Sequence, residues 1–315
     1  MLTYIFFFLG FYALIKGADL LVDGASSLAN RLGVSALVIG LTVVAFGTSA
    51  PELAVNILAS LNNSTDIAVG NILGSNIANI LLILGVSAVI YPLAVQQGTV
   101  WKEIPFALLA VMVLGYFVTD GEVGRSDGFV LIIFFALFVF YIYRLTQQEQ
   151  SANTALTVNE AEVRNSLMKS WLMVIVGMVG LVVGGKWIVD GAVAFAAGFG
   201  VSEALIGLTI VAIGTSLPEM ATSAVAAYKK NVDIAVGNIV GSNIFNIFWI
   251  LGISSIIQPL PFSSNLTADL KITFVVTLAL FLALFVGKKH LLERWQGIAF
   301  VLLYVFYTGY LILRG

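Results

Sequence analysis

Residues 40–52 read GLTVVAFGTSAPE and residues 207–219 read GLTIVAIGTSLPE. Each stretch is apolar for most of its length and then gathers Gly, Thr, Ser, Pro and Glu. The pair belongs to a longer match. Residues 17–92 align with 184–259 at a constant offset of 167 without a gap, and 41 of the 76 paired positions are identical. Two merely apolar stretches do not share that many residues, so the chain contains an internal duplication. A second conserved block follows in each copy, DIAVGNILGSNIANI at 66–80 and DIAVGNIVGSNIFNI at 233–247.

The 315 residues are 60% hydrophobic and 10% charged, with a mean hydropathy of +1.03. A soluble domain carries about 25% charged residues, so polar side chains here are too few to cover a water-facing surface. Apolar runs of about 20 residues, each long enough to span a bilayer as a helix, recur along the chain. They fall at 2–22, 36–60, 67–91, 101–119, 127–145, 168–189, 203–228, 234–258, 269–287 and 295–313. The short alternating segments of a membrane barrel are absent. Lys16 and Asp19 interrupt the first run and no basic stretch precedes it, unlike a signal peptide. The expectation is an all-α polytopic membrane protein with ten transmembrane helices.

Each copy of the duplication holds five of these spans. An odd number sends the second copy into the membrane from the opposite side, giving two inverted five-helix repeats. The expected division is 1–143 for the first repeat, 144–167 for a cytoplasmic linker and 168–315 for the second repeat. The linker region is polar, mixed in charge and too short for a folded domain. Neither repeat alone would complete a central site, so the two should interlock. With the N-terminus outside, ten Lys and Arg residues lie on inner loops: Arg31, Lys102, Arg144, Arg164, Lys169, Lys229, Lys230, Lys288, Lys289 and Arg294. Only Arg125, Lys271 and Arg314 lie outside, a positive-inside bias that puts both termini outside. The chain has no Cys and a single His, His290, which excludes disulfides, thiolate metal sites and a His cluster.

The GTSAPE segment should break its helix. Pro51 has no N–H to donate, and its ring clashes with the carbonyl of Gly47. Carbonyls around Ala45–Thr48 are then freed, and in hydrocarbon they must be buried in protein or face a cavity. Pro51 suits the first turn of a restarted helix, with Glu52 near its positive end. The second copy repeats this with Ala212, Gly214, Thr215, Ser216, Pro218 and Glu219. The inverted repeat should set Glu52 and Glu219 opposite each other. Two carboxylates with the hydroxyls of Thr48, Ser49, Thr215 and Ser216 describe a hard-cation site suited to Ca²⁺ and Na⁺. In the competing reading, each Glu of a Pro-kinked helix pairs with a Lys. The cations inside spans, Lys16 and Lys186, have nearer partners in Asp19 and Asp190. An intramembrane carboxylate is functional by default.

In GSNIAN and GSNIFN, Ser75 and Asn79 share a helix face, as do Ser242 and Asn246. These faces point at the glutamates, act as interhelical glue, or do both. Asn76 and Asn243 lie off that face and read as structural. Asn71 and Asn238 cap helices or line a vestibule. Asp23 and Asp190 read as helix-end or packing contacts, and Asp66 and Asp233 as acids at helix N-termini. Residues 180–187, GLVVGGKW, mimic a phosphate loop but have Trp187 where a Ser or Thr is needed and lie in an apolar span. Neither a nucleotide nor a nucleic acid is therefore expected as a partner, and no cofactor; transport energy should come from an ion gradient.

The paired GTSxPE and GSNxxN segments resemble the α-repeats of the sodium/calcium exchanger family, within the cation/Ca²⁺ exchanger superfamily. The compact size is similar to that of prokaryotic members, which implies the inner membrane of a prokaryotic cell. The resemblance covers nearly the whole chain outside the linker. It implies ten transmembrane helices, an inverted repeat, and alternating access by sliding of spans one and six against a core. By motif position it implies Glu52 and Glu219 as central shared ligands, with backbone carbonyls from Ala45 and Ala212. Thr48, Ser49, Thr215 and Ser216 would coordinate through side chains or carbonyls. Ser75 and Ser242 would complete flanking Na⁺ sites, and Asn79 and Asn246 would lie at the centre. Potassium-dependent relatives carry Asp where this chain has Asn246, a departure that argues against K⁺ dependence.

The expected activity is secondary active Na⁺/Ca²⁺ antiport, not an enzymatic reaction. One Ca²⁺ neutralises two ionised glutamates; three Na⁺, as the resemblance implies, leave one net positive charge and make exchange electrogenic. Two carboxylates in a dry site also attract protons, which should compete with both cations. The alternatives are a Ca²⁺/H⁺ antiporter of the same superfamily and a cation channel lined by the broken helices. The Thr, Ser and Asn groups favour Na⁺, because protons need no such ligands, and the inverted repeat favours alternating access. An intramembrane enzyme lacks a His beside a Ser or a metal motif.

Overall fold

The computed structural model describes residues 2–153, 166–198 and 212–314. Long apolar runs satisfy their backbone within themselves as helices, the form that hydrocarbon demands of a spanning segment. In chain order these are α1 (Leu2–Leu32), α2 (Ala36–Thr48), α3 (Ala50–Leu61), α4 (Thr65–Ile90), α5 (Thr99–Asp120) and α6 (Arg125–Asn153). After the linker come α7 (Leu167–Gly198), α8 (Ala212–Thr215), α9 (Leu217–Tyr228), α10 (Val232–Ile257), α11 (Ser264–Ala283) and α12 (Arg294–Arg314).

Among the described residues eight helices are long and apolar enough to cross a membrane, and the bent pair α2–α3 adds a ninth. Of the expected span 203–228, residues 203–211 lie outside the described part, and the remainder is α8 and α9. The expected linker 144–167 begins differently: α6 runs on to Asn153. Its extra turns contain neither Gly nor Pro. They are pinned by the Ser35 N–H donating to Glu149 at 2.7 Å and by Gln150 donating to the Leu32 carbonyl at 2.9 Å. Residues 154–165 of the linker lie outside the described part.

Helices α4 and α10 form the centre, with 78% and 83% of their spanning windows buried, against 22–39% for the other long helices. The outer helices turn large apolar side chains outward, among them Phe8, Ile133, Val179 and Phe306. The polar side chains Thr48, Glu52, Asn79, Glu219, Asn238 and Asn246 are buried. This arrangement, apolar outside and polar within, suits a protein surrounded by lipid.

Helices α1 and α7 pack along a seam of small residues and run antiparallel. A Cβ on Gly10 would lie 2.9 Å from the Gly184 carbonyl, on Gly17 2.8 Å from the Gly177 carbonyl, and on Gly24 3.0 Å from the Ser170 carbonyl. Partners climb one helix as they descend the other, seven residues at a time. At the far end Ser27 and Ser170 share a hydrogen bond of 2.7 Å. Two short ladders tie the loops at the helix ends. Leu93–Ala94 (β1) pairs with Leu291–Leu292 (β4), and Glu122–Val123 (β2) with Leu260–Pro261 (β3), both antiparallel.

Candidate functional site

The helix interruption falls at Ser49. Helices α2 and α3 meet there at 45°, with a single non-helical residue between them at φ −83°, ψ 6°. Ser216 holds the same conformation, φ −87°, ψ 5°, between α8 and α9. In each restarted helix the Pro occupies the first turn and is followed by Glu52 or Glu219, where a carboxylate meets unpaired backbone N–H groups. The Ala45 carbonyl is not bare as the sequence suggests. It accepts from the Ser49 N–H at 3.0 Å and lies 3.3 Å from the Thr48 hydroxyl. The break is thus narrower than a Pro and a Gly four residues apart imply, because Ser49 completes one more helical hydrogen bond before the bend. Ala212 opens the described part of the matching segment.

Glu52 and Glu219 are each 1% exposed. Their partners come from the opposite copy. The Ser49 hydroxyl donates to Glu219 at 3.1 Å and Thr48 also reaches that carboxylate, while Thr215 and Ser216 serve Glu52. Ser49 contacts Ser242 at 3.0 Å and Ser216 contacts Ser75 at 3.3 Å. The crossing continues in the amides. Asn79 donates to the side-chain oxygen of Asn243 and Asn246 to that of Asn76, both at 2.9 Å. Asn76 and Asn243 donate to each other's backbone carbonyls at 3.3 and 3.4 Å, so they sit where the two copies meet. Neither Glu pairs with a Lys; Lys16 pairs with Asp19 at 3.5 Å and Lys186 with Asp190 at 2.9 Å.

Glu52 Oε2, Glu219 Oε2, Asn79 Oδ1 and Asn246 Oδ1 are buried without a hydrogen-bond donor. Buried polar atoms are normally paired. All four are acceptors from matching positions of the duplication, and a cation satisfies acceptors that the protein leaves without donors. The structure thus gathers Ser49, Ser242 and Thr48 about Glu219 and Thr215 and Ser216 about Glu52, sets Ser216 against Ser75, and joins Asn79 and Asn246 through Asn243 and Asn76 where the two copies meet. Four π-helical segments among the described residues were not foreseen: Gly40–Val44, Asn79–Leu84, Thr99–Glu103 and Phe245–Leu251, the second and fourth containing Asn79 and Asn246. Single π-turns of this kind mark functional sites.

The sequence reading placed Asn71 and Asn238 as helix caps or vestibule residues, and did not join them to the threonines. Asn238 lies 3.0 Å from the Thr48 hydroxyl and Asn71 3.3 Å from that of Thr215. The signal was present, since both Asn residues sit one helical turn before the GSN serines, at i−4. The two sides differ in access: Thr48 and Asn238 are buried, whereas Thr215 and Asn71 are half-buried. Asp66 and Asp233 fall in the first turns of α4 and α10 as expected. Asp23 accepts from Lys229 at 2.8 Å, a packing contact.

The sequence model of the family described as sodium/calcium exchanger protein matches residues 2–144 and again 169–313. The chain is 41% identical over 254 residues to the inner membrane protein YrbG of Escherichia coli, covering 79% of this chain and 78% of that one. It is 31% identical to the sodium/calcium exchanger MaX1 of Methanosarcina acetivorans, covering 98% and 97%. Among solved structures, the sodium-calcium exchanger NCX_Mj soaked with zero Na⁺ and Ca²⁺ superposes with a TM-score of 0.84 at 34% identity, covering 98% of this chain and 99% of that one. The same exchanger soaked with 2.5 mM Na⁺ and 0.1 mM Ca²⁺ gives a TM-score of 0.82 at 36% identity, covering 97% of each chain.

Proposed function

The chain belongs to the sodium/calcium exchanger family, and from that premise we propose that it is a secondary active antiporter exchanging Na⁺ for Ca²⁺ by alternating access. One observation supports this above the rest: two buried glutamates from opposite copies, each with an oxygen lacking a donor, beside two amide oxygens in the same condition. In this reading Glu52 and Glu219 are the shared ligands. Thr48, Ser49, Thr215, Ser216, Ser75 and Ser242 supply flanking oxygens, Ala45 and Ala212 supply carbonyls, and Asn79 and Asn246 lie between. The antiparallel run of α1 against α7 supports the inverted arrangement of ten helices in repeats 1–143 and 168–315, with 144–167 as linker. Both termini lie outside.

Ca²⁺ neutralises the two carboxylates. A set of Na⁺ ions uses the same carboxylates plus the hydroxyls, so the two loads exclude each other, and that exclusion couples the fluxes. Three Na⁺ against one Ca²⁺ makes the cycle electrogenic. The unloaded site keeps two charges in low dielectric, which is costly and suppresses leak. Protons compete for the same carboxylates, so acid inhibits.

The test is radioactive Ca²⁺ uptake into Na⁺-loaded proteoliposomes under imposed Na⁺ or H⁺ gradients, with the voltage clamped. Saturable uptake driven by the Na⁺ gradient is expected. Uptake driven by a pH gradient without Na⁺ would make the protein a Ca²⁺/H⁺ antiporter, and non-saturating conductance a channel. Glu52→Gln and Glu219→Gln should each abolish exchange while the purified protein stays monodisperse. Near-normal exchange in either variant removes the site assignment.

A further inference from the structure

A hydroxyl has one proton and can offer its lone pairs to a cation only when that proton points elsewhere. The Thr48 hydroxyl has two hydrogen-bond acceptors in reach, the Ala45 carbonyl at 3.3 Å and Asn238 Oδ1 at 3.0 Å. A cation lying between Thr48 and Glu219 turns both oxygens toward itself, and the Thr48 proton must then go to one of these acceptors. Asn238 is the nearer.

The direction of Asn238 is fixed from its far side. A carbonyl only accepts. The Ser223 hydroxyl donates to the Ala235 carbonyl at 3.3 Å, which leaves its oxygen to accept from Asn238 Nδ2 at 3.0 Å. The same nitrogen lies 3.5 Å from the Glu219 carbonyl. Asn238 Oδ1 therefore faces Thr48 and can only accept. In the other copy Asn56 donates to the Ala68 carbonyl at 3.0 Å, its oxygen accepts from Asn71 at 2.8 Å, and Asn71 Oδ1 accepts from Thr215 at 3.3 Å. Both chains run from a site hydroxyl outward to a backbone carbonyl, and Ala68 and Ala235 occupy matching positions. The middle residue differs, Asn56 in one and Ser223 in the other, yet each donates to a carbonyl and accepts from an amide. Asn56, Ser223 and Asn238 are all buried, so water does not reorient these three; Asn71 is half-buried and is held by Asn56.

We propose that Asn71 and Asn238 are positioning residues that take the protons of the Thr215 and Thr48 hydroxyls, so that these oxygens turn their lone pairs to the transported cation. The proposal rests on the reading of Thr48 and Thr215 as ligands. Two carboxylates suffice to neutralise one Ca²⁺, whereas several Na⁺ ions need the additional oxygens. Losing the orienting acceptor therefore weighs on Na⁺ more than on Ca²⁺.

The experiment measures half-saturating Na⁺ and half-saturating Ca²⁺ separately in proteoliposomes, for wild type, Thr48→Val, Asn238→Ala, Asn71→Ala, Asn56→Val and Asn56→Ser. Each Asn→Ala change should raise half-saturating Na⁺ by about three- to tenfold, the size of one lost hydrogen bond, and move the Ca²⁺ value less. Asn56→Val releases Asn71 to flip and should raise the Na⁺ value. Asn56→Ser keeps the donor and acceptor used by the other copy and should bring it back toward wild type. Unchanged Na⁺ dependence in both alanine variants, or equal shifts for the two ions, overturns the proposal. If the alanine variants fail to fold, equal Na⁺ dependence of Asn56→Val and Asn56→Ser overturns it. An unchanged Na⁺ value in Thr48→Val instead removes the ligand reading beneath it.

Discussion

Each glutamate at the centre is served by hydroxyls on the other copy's broken helix, and each break is sealed from outside by a side chain of α7. A Cβ on Gly47 would lie 2.1 Å from Met178 Cε, and one on Gly214 2.3 Å from Val189 Cγ2. The first obstacle is the end of a flexible side chain and the second is β-branched and stiff at χ1. Gly214→Ala should therefore lower exchange well below Gly47→Ala, with overpacking costs of about 1–3 kcal/mol at Gly214. Transport rate and thermal midpoint of the two variants, side by side, check this. An equal effect would mean that Val189 gives way as readily as Met178. At this scale the glutamates, hydroxyls and serines were legible, because Pro51 and Pro218 announce a break and an acid follows each. Asn71 and Asn238 are marked by their i−4 spacing to the serines, but their contacts were not legible, because each meets a threonine of the other copy.

Among the elements, the pair α1 and α7 is held by backbone in contact with backbone. At Gly17 an added side chain meets the Gly177 carbonyl and the Leu181 nitrogen, both at 2.8 Å. Neither can rotate away. Gly17→Leu should separate the helices and reduce both thermal midpoint and exchange, whereas the same change at Gly115, with nothing within 4 Å, should leave both near wild type. Equal behaviour of the two would mean that the seam contributes nothing. Ten spans were read from apolar length, since lipid imposes that length, and nine of them are matched among the described residues. The continuation of α6 to Asn153 was masked by its polarity, although nothing in 144–153 stops a helix. The π-turns at Asn79 and Asn246 leave no mark in composition; they come from packing one extra residue into a crowded centre.

Across the whole molecule the two copies repeat each other's bonds but not each other's charges. Lys229, between α9 and α10, reaches Asp19 at 3.0 Å and Asp23 at 2.8 Å on α1, and Asn231 donates to Ser26 at 3.1 Å. The matching position in the first copy is Asn62, and on α7 the matching pair Lys186 and Asp190 satisfies itself. Among the described residues no ion pair ties α7 to the α3–α4 loop. One mouth is thus latched by charge and the other is not. The pair is part-exposed, so Lys229→Met should change the ratio of half-saturating Ca²⁺ at the two membrane faces by no more than about fivefold. Raised salt should shrink the wild-type ratio in the same direction. A ratio unmoved by either change would show that the latch does not weigh one state against the other. The duplication itself was plain in the sequence. This imbalance was not, because it needs Lys229 to be seen beside residues 206 and 210 positions away.

The exchange of partners between copies has a genetic consequence. A lesion at Asn71 is felt at Thr215, 144 positions along the chain, and one at Asn238 is felt at Thr48, 190 positions away. Suppressors of either lesion should arise in the copy that does not bear it. The two halves of the gene are therefore not free to drift apart: each inherits the tolerances of the other.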